Sequence, residues 1–225
     1  MEIIQTRLQT NYLRENLHFY ETVLGFHIEN QTETSFEVIV GTSKLIFEAS
    51  ELAVAPYYHF AFDIPTGSLL EAKQWLSKRV TLSLEDGKDQ ITFGNSGCTS
   101  VYFEDASGNI VEFIERSKTS PELEGVFDSS SILKISEMSL VVPNKLKVAE
   151  QLIQSGLQSM FNSDITEDGL SFMTDTENKV FVLLVNLERK WLFSEKKSKV
   201  FKQEILLDSG IILGMDDNNH FYIHW

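Results

Sequence analysis

The chain has 225 residues, of which 42% are hydrophobic and 11% aromatic, so it can form a packed core in one or two domains and is neither disordered nor fibrous. Its 19 basic and 33 acidic residues give a formal net charge of −14, which repels nucleic-acid phosphates and anionic lipid headgroups. We therefore expect no nucleic-acid partner and no membrane partner. We expect a cytoplasmic protein for three reasons. The chain has a single cysteine, residues 1–10 contain no apolar signal segment, and no apolar stretch reaches about 18 residues.

The first 50 residues predict a strand, a helix and three further strands. Alternating residues over 2–10 indicate the first strand, and apolar residues at helical spacing over 13–24 indicate a helix. Gly25 stands where a glycine commonly ends a helix. The remaining strands are predicted at 26–29, 35–40 and 44–48.

The same order of elements recurs in the next segment. A strand is predicted over 57–64 and a helix over 68–79, with Ser68 as its N-cap. Further strands are predicted at 81–84, 90–93, 100–104 and 110–115. Residues 1–116 therefore contain two copies of one βαβββ unit of about 55 residues.

A polar segment with proline and glycine, residues 117–131, is predicted to be a linker. A third copy of the unit follows, with a strand over 132–142, a helix over 144–155 and later strands. Residues 189–225 show strand-like runs without an amphipathic helix, so a fourth copy, if present, is degraded. The predicted fold class is α+β, with a two-unit domain at 1–116, the linker, and a degenerate βαβββ-related domain at 132–225.

Four segments of the first half resemble the vicinal-oxygen-chelate superfamily, which includes glyoxalase I, fosfomycin-resistance transferases, extradiol dioxygenases and bleomycin-resistance proteins. They are IIQTRLQTNYLRENLHFYETVLGF, LIFEAS, YYHFAFDIP and VYFEDASGNIVEFIER, the last with a D-x-x-G-N-x-x-E pattern. The resemblance implies paired βαβββ units whose sheets curl into a cup that holds a metal ion. Such a cup closes either within one chain or between the two chains of a homodimer.

Carried over position by position, the resemblance places metal ligands at Gln5, Glu48, His59 and Glu112. An imidazole, two carboxylates and an amide oxygen suit a divalent ion such as Ni, Mn, Co, Fe or Zn. The alternative is a decayed cup in which Gln5 and Glu48 face solvent and His59 is a core residue.

A Gln–Glu–His–Glu set is similar to that of the glyoxalase I branch, which implies lyase or isomerase chemistry on a small oxygenated substrate through a metal-bound enediolate. Glu112 or Glu48 would then move the proton. The arginine that binds glutathione in that branch is replaced by Gln9. Arg7 either binds a different anionic substrate or forms a cross-strand ion pair, and Tyr102 is a further candidate substrate contact.

Two other functions remain open at this point. One is a metal-free protein, like the bleomycin-resistance proteins, that sequesters a cationic ligand; the other is an oxidoreductase like the extradiol dioxygenases. In the third unit, Glu137 stands at the place equivalent to Gln5 by strand register. Because no histidine follows at the place equivalent to His59, we expect no separate metal there. The C-terminal half would instead cover the sheet, form a pocket wall or provide a dimer surface.

Overall fold

A computed structural model describes residues 1–94, 97–117, 119–177 and 179–225, which form fifteen β-strands and three α-helices. The strands of the first half are β1 (Ile3–Thr10), β2 (Ile28–Glu29), β3 (Ser35–Val40), β4 (Ser43–Ala49), β5 (His59–Ile64), β6 (Ile91–Thr92), β7 (Cys98–Glu104) and β8 (Ile110–Arg116). Those of the second half are β9 (Lys134–Val141), β10 (Gln158–Ser159), β11 (Ser171–Thr174), β12 (Phe181–Val185), β13 (Gln203–Leu207), β14 (Ile212–Met215) and β15 (Phe221–His224). The helices are α1 (Leu13–His18), α2 (Leu69–Ser77) and α3 (Lys145–Gln154).

Several predicted strands are shorter or longer than the observed ones at their ends, and two predicted elements differ in kind. The helix predicted over 13–24 is α1 followed by a π-helical turn at Phe19–Val23, and Gly25 ends it with φ +70° as expected. The strand predicted at 81–84 is wrong, because this segment meets the edge of β7 at only one bridge, between Leu82 and Phe103. Of the predicted linker, Lys118 lies outside the described residues.

The strands form two mixed sheets, and the predicted α+β fold of paired, curled units is confirmed. The first sheet has the order β15-β14-β13-β1-β4-β3-β2, and the second has the order β10-β11-β12-β9-β5-β8-β7-β6. The first unit therefore pairs with the C-terminal strands, and the second unit pairs with the third. The first two units do not share a sheet, because β1 is bonded to β4 and β13 while β5 is bonded to β8 and β9.

The two faces of the second sheet bury different apolar clusters. Phe60 and Phe113 face a large core that also contains Leu8 and Phe47 of the first sheet. The opposite, concave face contributes to a smaller cluster around Phe181. This concave face is covered by residues 186–202, a segment between β12 and β13 that we call the strap. Among the described residues, no helix is long and apolar enough to cross a bilayer.

Candidate metal centre

His59 begins β5, in the middle of the second sheet. The side chain of Asn109, from the turn that precedes β8, accepts a hydrogen bond from the backbone N–H of Tyr58 and so fixes the start of this strand. The imidazole Nδ1 lies 3.0 Å from the carbonyl oxygen of Ile110. A carbonyl only accepts hydrogen bonds, so Nδ1 carries the proton and the lone pair of Nε2 is left for a ligand role. Burial lowers the pKa of His59, which keeps the ring in the neutral form that binds metals.

Glu112 lies beside this nitrogen on the neighbouring strand β8. Its Oε2 is 3.5 Å from Nε2 of His59, and the residue is only 2% exposed. Burial and the negative charge of Glu137 raise the pKa of Glu112 to about 8. At neutral pH this carboxyl group therefore holds a proton unless a cation lies beside it.

Glu137 reaches the same place from β9 because of a β-bulge. Ile135 and Met138 both lie in the core although they are three residues apart, since Ser136 is an extra residue opposite β5. Without the extra residue, strict alternation would put Ile135 and Met138 on opposite faces. The bulge instead leaves Glu137 on the concave face with His59.

These side chains belong to a buried charged cluster. One donor atom from each of His59, Glu112 and Glu137 lies within 4.8 Å of the other two. Nη2 of Arg116 pairs with Glu137, and Nε of Arg116 lies 3.7 Å from Oδ1 of Asp63. When ionised, the three carboxylates face one guanidinium, which leaves two negative charges that a single divalent ion would neutralise. One imidazole and two carboxylates are a donor set that suits divalent ions of the first transition row.

A cavity of about 180 Å³ has these three side chains in its wall. Most of the remaining wall is apolar and consists of Phe93, Ile114, Met160, Leu170, Phe172, Phe181, Leu183 and Leu192. Tyr102, Cys98 and Arg116 supply the other polar groups. A compact ligand with an apolar body and a few polar atoms fits such a cavity.

The strap closes one side of the cluster with aromatic rings. The ring centroid of Trp191 lies 5.2 Å from that of His59. The ring of Phe193 is stacked on Tyr102, with centroids 4.5 Å apart and planes 10° apart. The strap therefore shields the candidate ligands from water on this side.

The other residues predicted for the site, Gln5, Arg7 and Glu48, lie in the first sheet. Nη1 of Arg7 is 2.6 Å from Oε1 of Glu48, and its Nε is 3.8 Å from Oε1 of Glu204. The structure thus brings His59 and Glu112 together but does not bring Gln5 or Glu48 to them, because a different unit completes the cup. Of the two roles predicted for Arg7, the structure shows the cross-strand ion pair.

Glu137 was predicted to stand at the place equivalent to Gln5 but was not predicted to belong to the site. The signal was available in the broken alternation of Ile135, Ser136, Glu137 and Met138, which is typical of a bulge. Arg116 was missed as well, although a cation at the end of an apolar strand needs a buried partner.

Comparisons with known proteins agree with this architecture. The family model of a toxoflavin-degrading enzyme matches residues 135–189, which is less than half of the chain. A putative dioxygenase from Bacillus subtilis subsp. subtilis str. 168 is similar in structure, with a TM-score of 0.64, 14% identity, and coverage of 99% of this chain and 84% of that one. A glyoxalase I mutant from Zea mays has a TM-score of 0.56 and 12% identity over 99% of this chain and 91% of that one. No curated protein sequence matches the chain. The similarities confirm the vicinal-oxygen-chelate fold.

Proposed function

We propose that this protein is a metal-dependent enzyme in which His59, Glu112 and Glu137 hold one divalent ion. The observation that carries the proposal is the convergence of a free imidazole nitrogen and two carboxylates within 4.8 Å in the wall of a buried cavity. Ni, Mn, Co, Fe and Zn are the candidate ions. The proposed substrate is a small molecule with oxygen atoms on neighbouring carbons.

Each of the two paired units offers two positions that could carry a metal ligand. The fourth of these positions holds a leucine, which has no donor atom. Ala61, two residues after His59, pairs with Glu112. Ser139, two residues after Glu137, pairs with Leu183. Leu183 therefore takes the place equivalent to Glu112. Three protein ligands leave coordination positions open for two oxygens of a substrate. When bound, the ion would supply Lewis acidity to those oxygens.

The reaction that these residues support best is a proton transfer between neighbouring carbons, as in a lyase or isomerase. Glu112 is the proposed proton carrier, because it is a carboxylate in the cavity wall that can accept a proton from one carbon of the substrate and return it to the neighbouring carbon. The Tyr102 hydroxyl interacts with Glu112. Burial raises the pKa of Tyr102 far above its usual value, so it remains a hydrogen-bond donor to the carboxylate or the substrate.

The three-ligand set also favours a second function, that of an oxidoreductase of the dioxygenase type. Non-haem iron oxygenases use a triad of two histidines and one carboxylate with open coordination positions; this site has one histidine and two carboxylates and would leave the same number of positions open. The match to the toxoflavin-degrading enzyme model includes Glu137 and Leu183 and is compatible with a degradative reaction. Turnover that consumes dioxygen would select this function, and turnover under argon would select the lyase or isomerase.

The first experiment is elemental analysis of protein purified without chelators, together with the shift of the melting temperature on adding each of the five metals. We expect about one equivalent of metal and a stabilising shift, because an ion that binds only the folded state stabilises it. Glu137→Gln should lose both effects, whereas the control Glu48→Gln, in the first sheet, should keep them. A wild-type protein with no metal and no shift would contradict the proposal and leave the metal-free binding protein as the better account.

A further inference from the structure

We infer that Arg116 anchors an anionic oxygen of the substrate, so that the substrate is a compact carboxylic acid with an apolar body. This inference rests on the proposed function, since it places the substrate in the same cavity as the ion. It adds a substrate class and a specificity-determining residue that the metal ligands alone do not provide.

The guanidinium of Arg116 is buried but has too few oxygen acceptors among the described residues. The residue is 8% exposed and lines the cavity. Nη2 donates to Glu137, whereas the acceptor of Nη1 is the sulfur of Cys98 at 3.7 Å. Nε has no hydrogen-bond partner in the described part of the chain and lies 3.7 Å from Asp63. Buried arginines normally satisfy their five donors with oxygen atoms, so this one is ready for a further acceptor.

The ring of Phe181 lies against this guanidinium. The central carbon of Arg116 lies 5.3 Å from the ring centroid, and Phe181 is itself part of the cavity wall. A guanidinium is planar and presents its N–H groups as a rigid fork, which matches the two oxygens of a carboxylate. Among the described residues of this wall, Arg116 is the only lysine or arginine.

The charge of the cluster sets the order of binding. Without a cation, the three carboxyl groups of Asp63, Glu112 and Glu137 outnumber the single guanidinium of Arg116 and disfavour the binding of an acid. A divalent ion brings the cluster to neutrality, and an acid can then approach Arg116 without a net repulsion. We therefore expect the metal to bind first and the acid second.

The apolar wall and the volume of about 180 Å³ limit the body of the substrate to roughly the size of a substituted benzene ring. The probes that match this description are 4-fluorobenzoate and its uncharged analogue 4-fluorobenzamide. Their ¹⁹F signals report binding directly and require no knowledge of the natural reaction. Each probe is titrated with Zn²⁺-loaded and with chelator-treated protein, and the zinc content of every sample is measured.

Wild-type protein with zinc should bind 4-fluorobenzoate at least tenfold more tightly than 4-fluorobenzamide. Arg116→Gln should weaken the binding of the benzoate at least tenfold and change the binding of the amide little. The matched control is Arg7→Gln, because Arg7 pairs with two glutamates on the other sheet and should not affect either probe. Arg116→Lys, which retains a charge, provides the comparison if the glutamine variant does not fold, and we expect it to lose at least threefold.

Three results would overturn the inference: no binding of the benzoate to the wild type, equal binding by Arg116→Gln, or equal affinity for the two probes. A loss of zinc that accounts for the loss of the benzoate would also overturn it, since Arg116 would then only position Glu137. If instead the proposed metal-dependent function is wrong, the wild-type protein will contain no metal. This result is distinct from those that would overturn the role of Arg116. Benzoate binding by metal-free wild type that still depends on Arg116 would support the anchor and contradict the order in which the metal binds first.

Discussion

Nε2 of His59 lies 3.5 Å from Oε2 of Glu112, while Nδ1 of the same ring is bonded to the main chain of the strand that carries Glu112. Strand β8 therefore supplies one candidate ligand and also orients another. A carbonyl partner on the far nitrogen fixes both the tautomer and the plane of a histidine ligand. The parallel pairing of β5 with β8 thus prepares two of the three proposed ligands before any ion arrives.

The raised pKa of Glu112 predicts that the metal-free protein loses stability as the pH rises from 7 to 9. The folded protein holds this proton up to a pH of about 8, whereas the unfolded chain releases it near 4.5. Up to a pH of about 8 the folded state binds more protons than the unfolded state, so the free energy of unfolding falls with pH, by at most about 1.4 kcal/mol per pH unit for one group, and the fall levels off as the pH approaches 9. Urea unfolding in a chelating buffer at pH 7, 8 and 9 measures the slope.

Two controls make this prediction specific. Glu112→Gln removes the titrating group and should flatten the slope. A saturating divalent ion should flatten it too, because the ion replaces the proton on the carboxylate. A wild-type stability that stays constant or rises between pH 7 and 9 without metal would show that Glu112 is already ionised.

Trp191 predicts an optical signal for metal binding. Its ring centroid lies 5.2 Å from that of His59, whereas Trp75 packs into the core and Trp225 is 76% exposed. A paramagnetic ion bound by His59 should quench Trp191 most strongly, because such quenching weakens steeply with distance. Titration with Co²⁺ or Ni²⁺ should lower the fluorescence of the wild type, and Trp191→Phe should lose most of this effect. Equal quenching of the variant would place the ion elsewhere.

Removal of the Tyr102 hydroxyl should weaken metal binding without loosening the strap. The interaction with Tyr102 lowers the pKa of Glu112, so Tyr102→Phe should raise that pKa and increase competition from the proton. The stack on Phe193 needs only the ring and is retained. We expect metal affinity to fall about tenfold at pH 7, as for other groups that hydrogen-bond to metal ligands.

Calorimetric titration at pH 7 and pH 9 measures this effect. The affinities of Tyr102→Phe and wild type should move closer together at the higher pH, where the proton competes less. Tyr222→Phe is the matched control, because that hydroxyl lies 3.2 Å from Glu204 in the first sheet. A variant with unchanged metal affinity at both pH values would exclude a role for the hydroxyl.

Local sequence patterns were sufficient to predict the repeated unit, but not which units pair. His59 and Glu112 belong to one unit, and their strands are bonded in parallel as the unit requires. Glu137 comes from β9, which belongs to a different unit and pairs with β5 across a long stretch of sequence. Every unit begins with a similar strand. The alternation of apolar residues in strands and their spacing in helices therefore do not reveal which two units pair to close the cup. The ion pair of Arg7 with Glu48 likewise depends on pairing between strands, so local patterns left two interpretations of Arg7 open.

Gly41 lies where the two sheets meet, and we expect its replacement by alanine to destabilise the protein strongly. It lies in the turn between β3 and β4 with φ +55°, and a Cβ at this position would lie 1.9 Å from the carbonyl oxygen of Leu133, just before β9. Gly87 has φ +74°, and a Cβ added there would meet no atom of the described residues within 4 Å, so this position isolates the cost of the backbone conformation. That cost is about 1–2 kcal/mol for alanine.

We expect Gly41→Ala to lower the free energy of unfolding by at least about 3 kcal/mol, because the overlap with a main-chain oxygen adds to the backbone cost. Gly87→Ala should lose only the smaller amount. Since Leu133 lies four residues before Glu137 on the chain that leads into the bulge, Gly41→Ala should also weaken metal binding, whereas Gly87→Ala should not. Urea unfolding and metal titration of both variants test this. Equal losses of stability would mean that the turn moves away from Leu133 at little cost, and unchanged metal affinity in Gly41→Ala would show that the bulge is held by β5 alone.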